Sequence, residues 1–277
     1  MVVLLNLFNL IYKYMARNSL KIIRNYKNKK KIICLTAYTS SIANIIDKYV
    51  DVILIGDSLG TAIYGMKNTQ SVTLDMMMRH GLAVFNSSKN AYTIIDMPYQ
   101  TYRNKKEALI NAKKLLSFSK CQSVKLEIDH SNIHIVKHLV KNGLQVTTHI
   151  GVTPQKFKNF NKIRSVGQNT SEKEKIFNLA IDLEKAGSCF IVLECINENL
   201  AKDISHNLKI PTIGIGASPH CDGQILVVND VLNLNNLEKK PKFVKSYANL
   251  NSIIERAVKK FSSDVVKKKF PKTIHTY

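Results

Sequence analysis

Residues 91–127 read as one repeating unit: Ala91-Tyr-Thr-Ile-Ile-Asp96, then Lys105-Lys-Glu-Ala-Leu-Ile-Asn-Ala-Lys-Lys-Leu-Leu-Ser-Phe-Ser-Lys120, then Ser123-Val-Lys-Leu-Glu127. The flanking runs are short and largely apolar, as strands buried on both faces are. Between them Ala108, Leu109, Ala112, Leu115 and Leu116 fall on one stripe at helical spacing, which predicts an amphipathic helix. Strand, helix and strand in that order form a βαβ unit on a parallel sheet. Working outward, the same signal recurs at Ile32 to Ala37, Val52 to Asp57, Gln145 to Ile150, Cys189 to Glu194, Thr212 to Gly216 and Gln224 to Val228, giving eight candidate strands. Ser171 and Glu174 suggest a capping box ahead of Ile176, Phe177, Ala180 and Leu183, with Gly187 closing that helix. Ser131 and Gly143 bracket another around Ile135, Val136, Leu139 and Val140. Such alternation over roughly 250 residues predicts an α/β fold of the (β/α)8 TIM barrel type, with a doubly wound open sheet as the competing arrangement.

Composition narrows the class of protein. With 277 residues, 45% hydrophobic and 22% charged, the chain can bury a full core, which excludes a disordered or collagen-like protein. Its apolar runs are broken by Asn, Lys or Asp well short of the ~20 residues that a membrane-spanning helix needs. The formal charge of +21 raises the possibility of nucleic-acid binding. The lysines are dispersed, however, with only short runs at Lys27 to Lys31 and Lys267 to Lys269, so a solvated basic surface is the better reading and neither nucleic acid nor membrane is expected as a partner. Cys34, Cys121, Cys189, Cys195 and Cys221 form no Cys-x-x-Cys pair, and several sit in apolar runs, which points to a reducing, cytoplasmic setting. Residues 1 to 14 are apolar but lack the basic start and small-residue cleavage site of a secretory signal.

Four of the strands end in an acid: Val52-Ile-Leu-Ile-Gly-Asp57, Thr93-Ile-Ile-Asp96, Val124-Lys-Leu-Glu127 and Ile191-Val-Leu-Glu194. In a barrel these ends surround one pocket, so the acids converge; taken singly, each also reads as a helix cap or a loop salt bridge. Converging carboxylates repel, and a hard divalent cation with oxygen ligands is the ordinary remedy. No zinc-type His/Cys set stands near them, which favours Mg2+. Lys125 lies two residues from Glu127 on the same strand face, where it would hold a substrate anion or simply pair with Glu127. His149 ends a strand too, as a pocket hydrogen-bond donor or a packed structural residue. The alternation of Gly and Ile around Gly214 continues a strand and does not open a phosphate loop; those glycines indicate close packing or approach by a ligand.

Taken together, Ile55-Gly-Asp-Ser-Leu-Gly60, Val124 to Glu127, His149-Ile-Gly-Val-Thr-Pro-Gln155, Val192-Leu-Glu-Cys195, Ile210-Pro-Thr-Ile-Gly-Ile-Gly-Ala217 and Asp222-Gly-Gln-Ile-Leu226 closely resemble the ketopantoate hydroxymethyltransferase family. The resemblance runs from about Met15 nearly to the C-terminus. It implies a (β/α)8 barrel of the phosphoenolpyruvate mutase/isocitrate lyase group, spanning residues 15–277 as a single domain behind an extension of residues 1–14. It also implies transfer of a hydroxymethyl unit from 5,10-methylenetetrahydrofolate to 3-methyl-2-oxobutanoate, giving 2-dehydropantoate for pantothenate and coenzyme A through a Mg2+-stabilised enolate. By position, Asp57 and Asp96 resemble metal ligands that also face the oxoacid, and Glu127 resembles a glutamate of the metal site or one just behind its ligands. Ser58 and Lys125 resemble oxoacid contacts, and Glu194 resembles the general base. The implied partners are the oxoacid, the folate and further copies of the chain in a homo-oligomer, commonly a decamer. The chain departs from the resemblance across Asn161 to Gln168 and at Ser218, where glycine is usual. A lyase or mutase acting on another oxoacid is the enzyme alternative, which would not need the folate; a basic nucleic-acid binder is the non-enzymatic one.

Overall fold

A computed structural model describes residues 17–158, 164–234 and 240–277. The expected extension, residues 1–14, and residues 161–163 of the divergent loop lie outside the described residues. Eight parallel strands close into a barrel in chain order, with the last pairing to the first. They are β1 (Ile32–Thr36), β2 (Val52–Ile55), β3 (Tyr92–Asp96), β4 (Ser123–Glu127), β5 (Val146–Gly151), β6 (Phe190–Glu194), β7 (Thr212–Ile215) and β8 (Gly223–Leu226). Closure rules out the open sheet. All eight expected strands are present within one or two residues of the sequence reading. The largest difference is at β8, where Gly223 already pairs with Ile32 and Ile213, and Val228 opens a helix.

The helices of the barrel are α1 (Leu20–Arg24), α2 (Ser40–Ile46), α3 (Leu59–Ala62), α4 (Leu74–Ser87), α5 (Lys105–Ser119), α6 (Ile133–Lys141), α7 (Thr170–Lys185) and α8 (Glu198–Asn207). On α5, Ala108, Ala112 and Leu115 are fully buried, as the stripe predicts. The start of α7 differs from expectation. Asn169, not Ser171, caps it by accepting from Glu172 N, while the Glu172 carboxylate accepts from Gly167 N and Gln168 N. An Asn-x-x-Glu set two residues upstream satisfies the same unpaired amides, so the helix begins earlier. Ser131 likewise is not a cap: it donates to Asp129 Oδ1 in a turn ahead of Asn132. Gly187 takes φ +94 just beyond α7, as a helix-closing glycine does.

The barrel interior is filled by Ile32, Cys34, Val52, Leu54, Tyr92, Ile94, Phe190, Val192, Ile213 and Ile225, each large side chain contributing roughly 1.5–3 kcal/mol of burial. Tyr92 and Phe190 meet edge to face with centroids 5.7 Å apart. Ile23 of α1 is fully buried in this same cluster, so the segment before β1 plugs the N-terminal end of the barrel. Its polar side chains bind the strand approaches around that end. Arg17 donates to the carbonyls of Phe85 and Ala91, Arg24 to that of Ser188, Lys27 to that of Ser205, and Lys31 to those of Pro219 and Cys221. The five cysteines are unbridged, and four are buried as small hydrophobes.

Contacts divide the chain into two compact units, one ending at Val227 and one running from Val228 to Tyr277. The sequence reading took residues 15–277 as one domain; the eight strands all lie in the first unit. The second contains α9 (Val228–Leu232) and α10 (Leu250–Val266), whose cap Asn249 accepts from Ser252 N. Among the described residues no helix is long and apolar enough to cross a membrane.

Candidate active site

The expected residues come from consecutive strands at the C-terminal mouth. Asp57 and Ser58 follow β2, Asp96 ends β3, Lys125 and Glu127 lie on β4, His149 lies on β5, and Glu194 ends β6. Strand register brings Asp96 beside Lys125 and Glu127 beside His149. All but Ser58 and Glu194 are nearly inaccessible, and the Glu194 side chain retains 15% exposure, which leaves it open to the mouth.

Asp57 N donates to Asp96 Oδ2 at 3.0 Å, which joins the ends of β2 and β3. Lys125 Nζ donates to Asp96 Oδ1 at 2.9 Å. The ammonium therefore pairs across the sheet, not with Glu127 along its own strand, because the parallel register sets Asp96 directly alongside it. Ser58 Oγ meets Tyr38 Oη at 2.7 Å. His149 lies between two acids, with Nε2 3.2 Å from Glu194 Oε2 and Nδ1 3.9 Å from Glu127 Oε1. Neither nitrogen has hydrogen-bond geometry to a partner, so the buried imidazole is unsatisfied.

Glu194 is held by backbone. Its carbonyl accepts from Val152 N at 2.9 Å, where the chain turns past Gly151 at φ +98. A Cβ at Gly151 would stand 2.3 Å from that carbonyl oxygen, so only glycine lets β5 pass β6 here.

Electrostatics separate these groups. Burial, reinforced by Asp96, pushes the Asp57 carboxyl up to about 7 against the pull of Lys125 and Gln155. Burial and then Asp57 hold Glu127 well above the usual carboxylate range. Burial opposes the charge on Lys125, but Asp96, Asp57 and Glu127 outweigh it and raise its pKa. Burial, then the Lys125 charge, lowers His149, so the imidazole is neutral at pH 7 despite Glu194.

Among the described residues one buried ammonium, Lys125, thus stands against Asp96, Asp57 and Glu127, and the acids are left short of positive charge. The donors are carboxylate oxygens, which suit a hard cation. Among the described residues no three His, Cys, Asp or Glu side chains converge as a ready-made cage. Mg2+ does not require one, since it is commonly held by one or two carboxylates with water and substrate oxygens completing its shell. The hydrogen-bonded pair Asp57 and Asp96 fits that demand.

Sequence reasoning passed over Gln155. It is 2% exposed and bonds to both Asp57 and Glu127. No charge or spacing distinguishes it; its one signal is its place two residues after Thr153 in the Thr-Pro-Gln run just past a strand. Ser218, at the divergent position, accepts from His220 N and shapes the turn before β8. In the divergent loop, Val166 bridges to Ile196 beyond β6.

The profile of the ketopantoate hydroxymethyltransferase family matches residues 17–273. A 3-methyl-2-oxobutanoate hydroxymethyltransferase from Pelagibacter ubique is 48% identical over 251 residues, covering 91% of this chain and 96% of the relative. One from Agrobacterium fabrum is 42% identical over 256 residues, covering 92% and 91%. Among solved structures, 2,3-dimethylmalate lyase, a PEP mutase/isocitrate lyase superfamily member, superposes with a TM-score of 0.59 at 13% identity over 88% of this chain and 86% of its own. That likeness confirms the barrel type, and the sequence matches extend over nearly its whole length. On this footing the chain belongs to the ketopantoate hydroxymethyltransferase family and is an enzyme of the hydroxymethyltransferase class.

Proposed function

We propose that this enzyme joins the one-carbon unit of 5,10-methylenetetrahydrofolate to C3 of 3-methyl-2-oxobutanoate, with water, giving 2-dehydropantoate and tetrahydrofolate. The observation that carries this reading is the shortage of positive charge at the mouth, where among the described residues Lys125, paired with Asp96, is the one ammonium beside Asp57 and Glu127. Asp57 and Asp96, with Glu127 behind them, are the residues that would hold Mg2+. Bound there, Mg2+ would supply Lewis-acid polarisation of the 2-oxo acid and offset the carboxylate charge.

The remaining work falls to side chains already in place. Lys125, buried and kept charged by its acidic neighbours, presents fixed positive charge toward an oxoacid anion. Ser58 Oγ, oriented by Tyr38, presents a hydroxyl to the same anion. Glu194, the acid left partly open, accepts the C3 proton at its carboxylate. The carbon so freed bonds to the folate methylene; both carbon–nitrogen bonds of that methylene break, water supplies the hydroxyl, and the two folate nitrogens take up the proton held by Glu194 and the remaining proton of that water. His149 Nε2 lies 3.2 Å from Glu194 Oε2, and burial favours the uncharged ring there. The reading includes a cytoplasmic homo-oligomer, which rests on family resemblance and is read by sedimentation.

Deuterium exchange at C3 of 3-methyl-2-oxobutanoate tests metal, base and substrate together. The expected result is Mg2+-dependent exchange without folate, product only with folate, and loss of both in Glu194→Gln by about 10²-fold or more. Exchange that survives in Glu194→Gln would remove Glu194 from the base role.

A further inference from the structure

Gln155 stands in the 3-10 turn Pro154–Lys156 that follows β5, and its hydrogen bonds reach the loops after β2 and β3 and the last residue of β4. Its Nε2 donates to Asp57 Oδ2 at 2.7 Å and to the Met97 carbonyl at 3.0 Å. Its Oε1 accepts from Tyr102 Oη at 2.5 Å, and its backbone N donates to Glu127 Oε2 at 3.1 Å. Gln70 Nε2 in turn donates to its carbonyl at 2.8 Å. Both amide hydrogens are used on acceptors and the amide oxygen on a donor. A flipped amide would set its oxygen against a carboxylate and a carbonyl, so the network fixes the orientation.

Asp57 follows β2 and Glu127 ends β4, with β3 between those strands. One residue holds both, the first by its side chain and the second by its main chain. We infer that Gln155 is a positioning residue: it holds the Asp57 and Glu127 carboxylates in the orientation that accepts a divalent cation, without itself touching cation or oxoacid. The inference rests on the metal reading above. It couples the loop after β5 to cation binding, since Pro154 begins the turn that aims the Gln155 backbone N–H at Glu127. Partners of this kind, one bond removed from the ion, typically change metal affinity by about 10–100-fold when lost.

The test titrates Mn2+ into the full-length protein by electron paramagnetic resonance, with no oxoacid or folate, and records the metal-free melting temperature. Gln155→Glu keeps shape and the backbone N–H but loses the amide donor toward Asp57; Gln155→Met keeps approximate volume without polar atoms. Both are expected to weaken Mn2+ binding by about 10–100-fold while still melting cooperatively. Tyr102→Phe, which removes only the donor to Gln155 Oε1, is expected to weaken it less. In an Asp57→Asn background the Gln155 substitutions should add little, because the amide acts through Asp57. Parental Mn2+ affinity in a cooperatively melting Gln155 variant overturns the inference. If neither Gln155 variant folds, parental affinity in Tyr102→Phe overturns it instead. Parental affinity in Asp57→Asn itself would overturn the metal reading, whereas loss there with none in the Gln155 variants overturns this inference alone.

Discussion

The two ends of the barrel treat acidic side chains in opposite ways. At the plugged N-terminal end each buried acid is satisfied. Asp222 pairs with Lys27 at 2.7 Å and accepts from Thr212 N and Oγ1, and Asp47 accepts from the backbone of Lys89, Asn90 and Ala91. At the mouth, among the described residues, three buried acids share one lysine, and both nitrogens of His149 lack a hydrogen-bond partner. On the function proposed above, the plugged end serves stability and the mouth is the end that a ligand would complete, as barrel architecture leads one to expect.

The largest stability effect that would sharpen this contrast is at the plug. Lys27→Met leaves Asp222 buried without its cation and is expected to cost about 3–5 kcal/mol, read as a lowered midpoint in urea unfolding. If Lys27→Met unfolds at the parental midpoint, the plug does not bear the stability assigned to it.

At the mouth the sign reverses. Asp57→Asn removes a buried charge that its neighbours repel, and in metal-free protein it is expected to raise stability by about 0.5–2 kcal/mol while abolishing metal-dependent activity. The pH dependence follows from the same group. Its folded pKa of about 7 lies above the ordinary aspartate value of 3.8, so the unfolded chain releases this proton first. Metal-free stability from this site is then complete below about pH 4 and falls as pH rises toward 7. Asp57→Asn should flatten that slope, and saturating Mg2+ should abolish it in the parent. A metal-free parent whose stability rises with pH across this window, with the same slope in Asp57→Asn, would break the contrast.

The smallest effect expected is at Asp129, outside the cluster. Burial alone would raise it, but Lys156 and Ser131 hydrogen bonds outweigh that and bring it down to about 2. Being lowered, it stabilises above the unfolded value near 3.8 and loses that contribution as pH falls toward 2. Asp129→Asn should remove this shallow acid-side slope in pH-dependent urea unfolding and leave activity intact.

Much of this was legible from local pattern. Each strand is a short apolar run with its acid at the end, and burial and chain alternation act within a few residues, so β4 was read to its last residue as Ser123–Glu127. Helix starts were less legible. Ser171 and Asn169 offer equivalent caps within two residues, and only the folded loop shows that Glu172 accepts the amides of Gly167 and Gln168.

Closure of the sheet into a barrel came from the tertiary structure, whereas the sequence by itself determined the alternation of strands and helices, the strand ends that carry the acids, and the family. These depend on periodicity and on residue types whose chemistry is evident wherever they lie. Only the tertiary structure decided who meets whom. Lys125 chooses Asp96 over Glu127 because register in a parallel pair is set by closure of the whole barrel. Ile23 is core because a plug has a partner only once the ring exists. Gln155, uncharged and unmarked in the chain, becomes a junction between Asp57 and Glu127 because the curvature of a closed sheet converges loops that lie 98 and 28 residues apart.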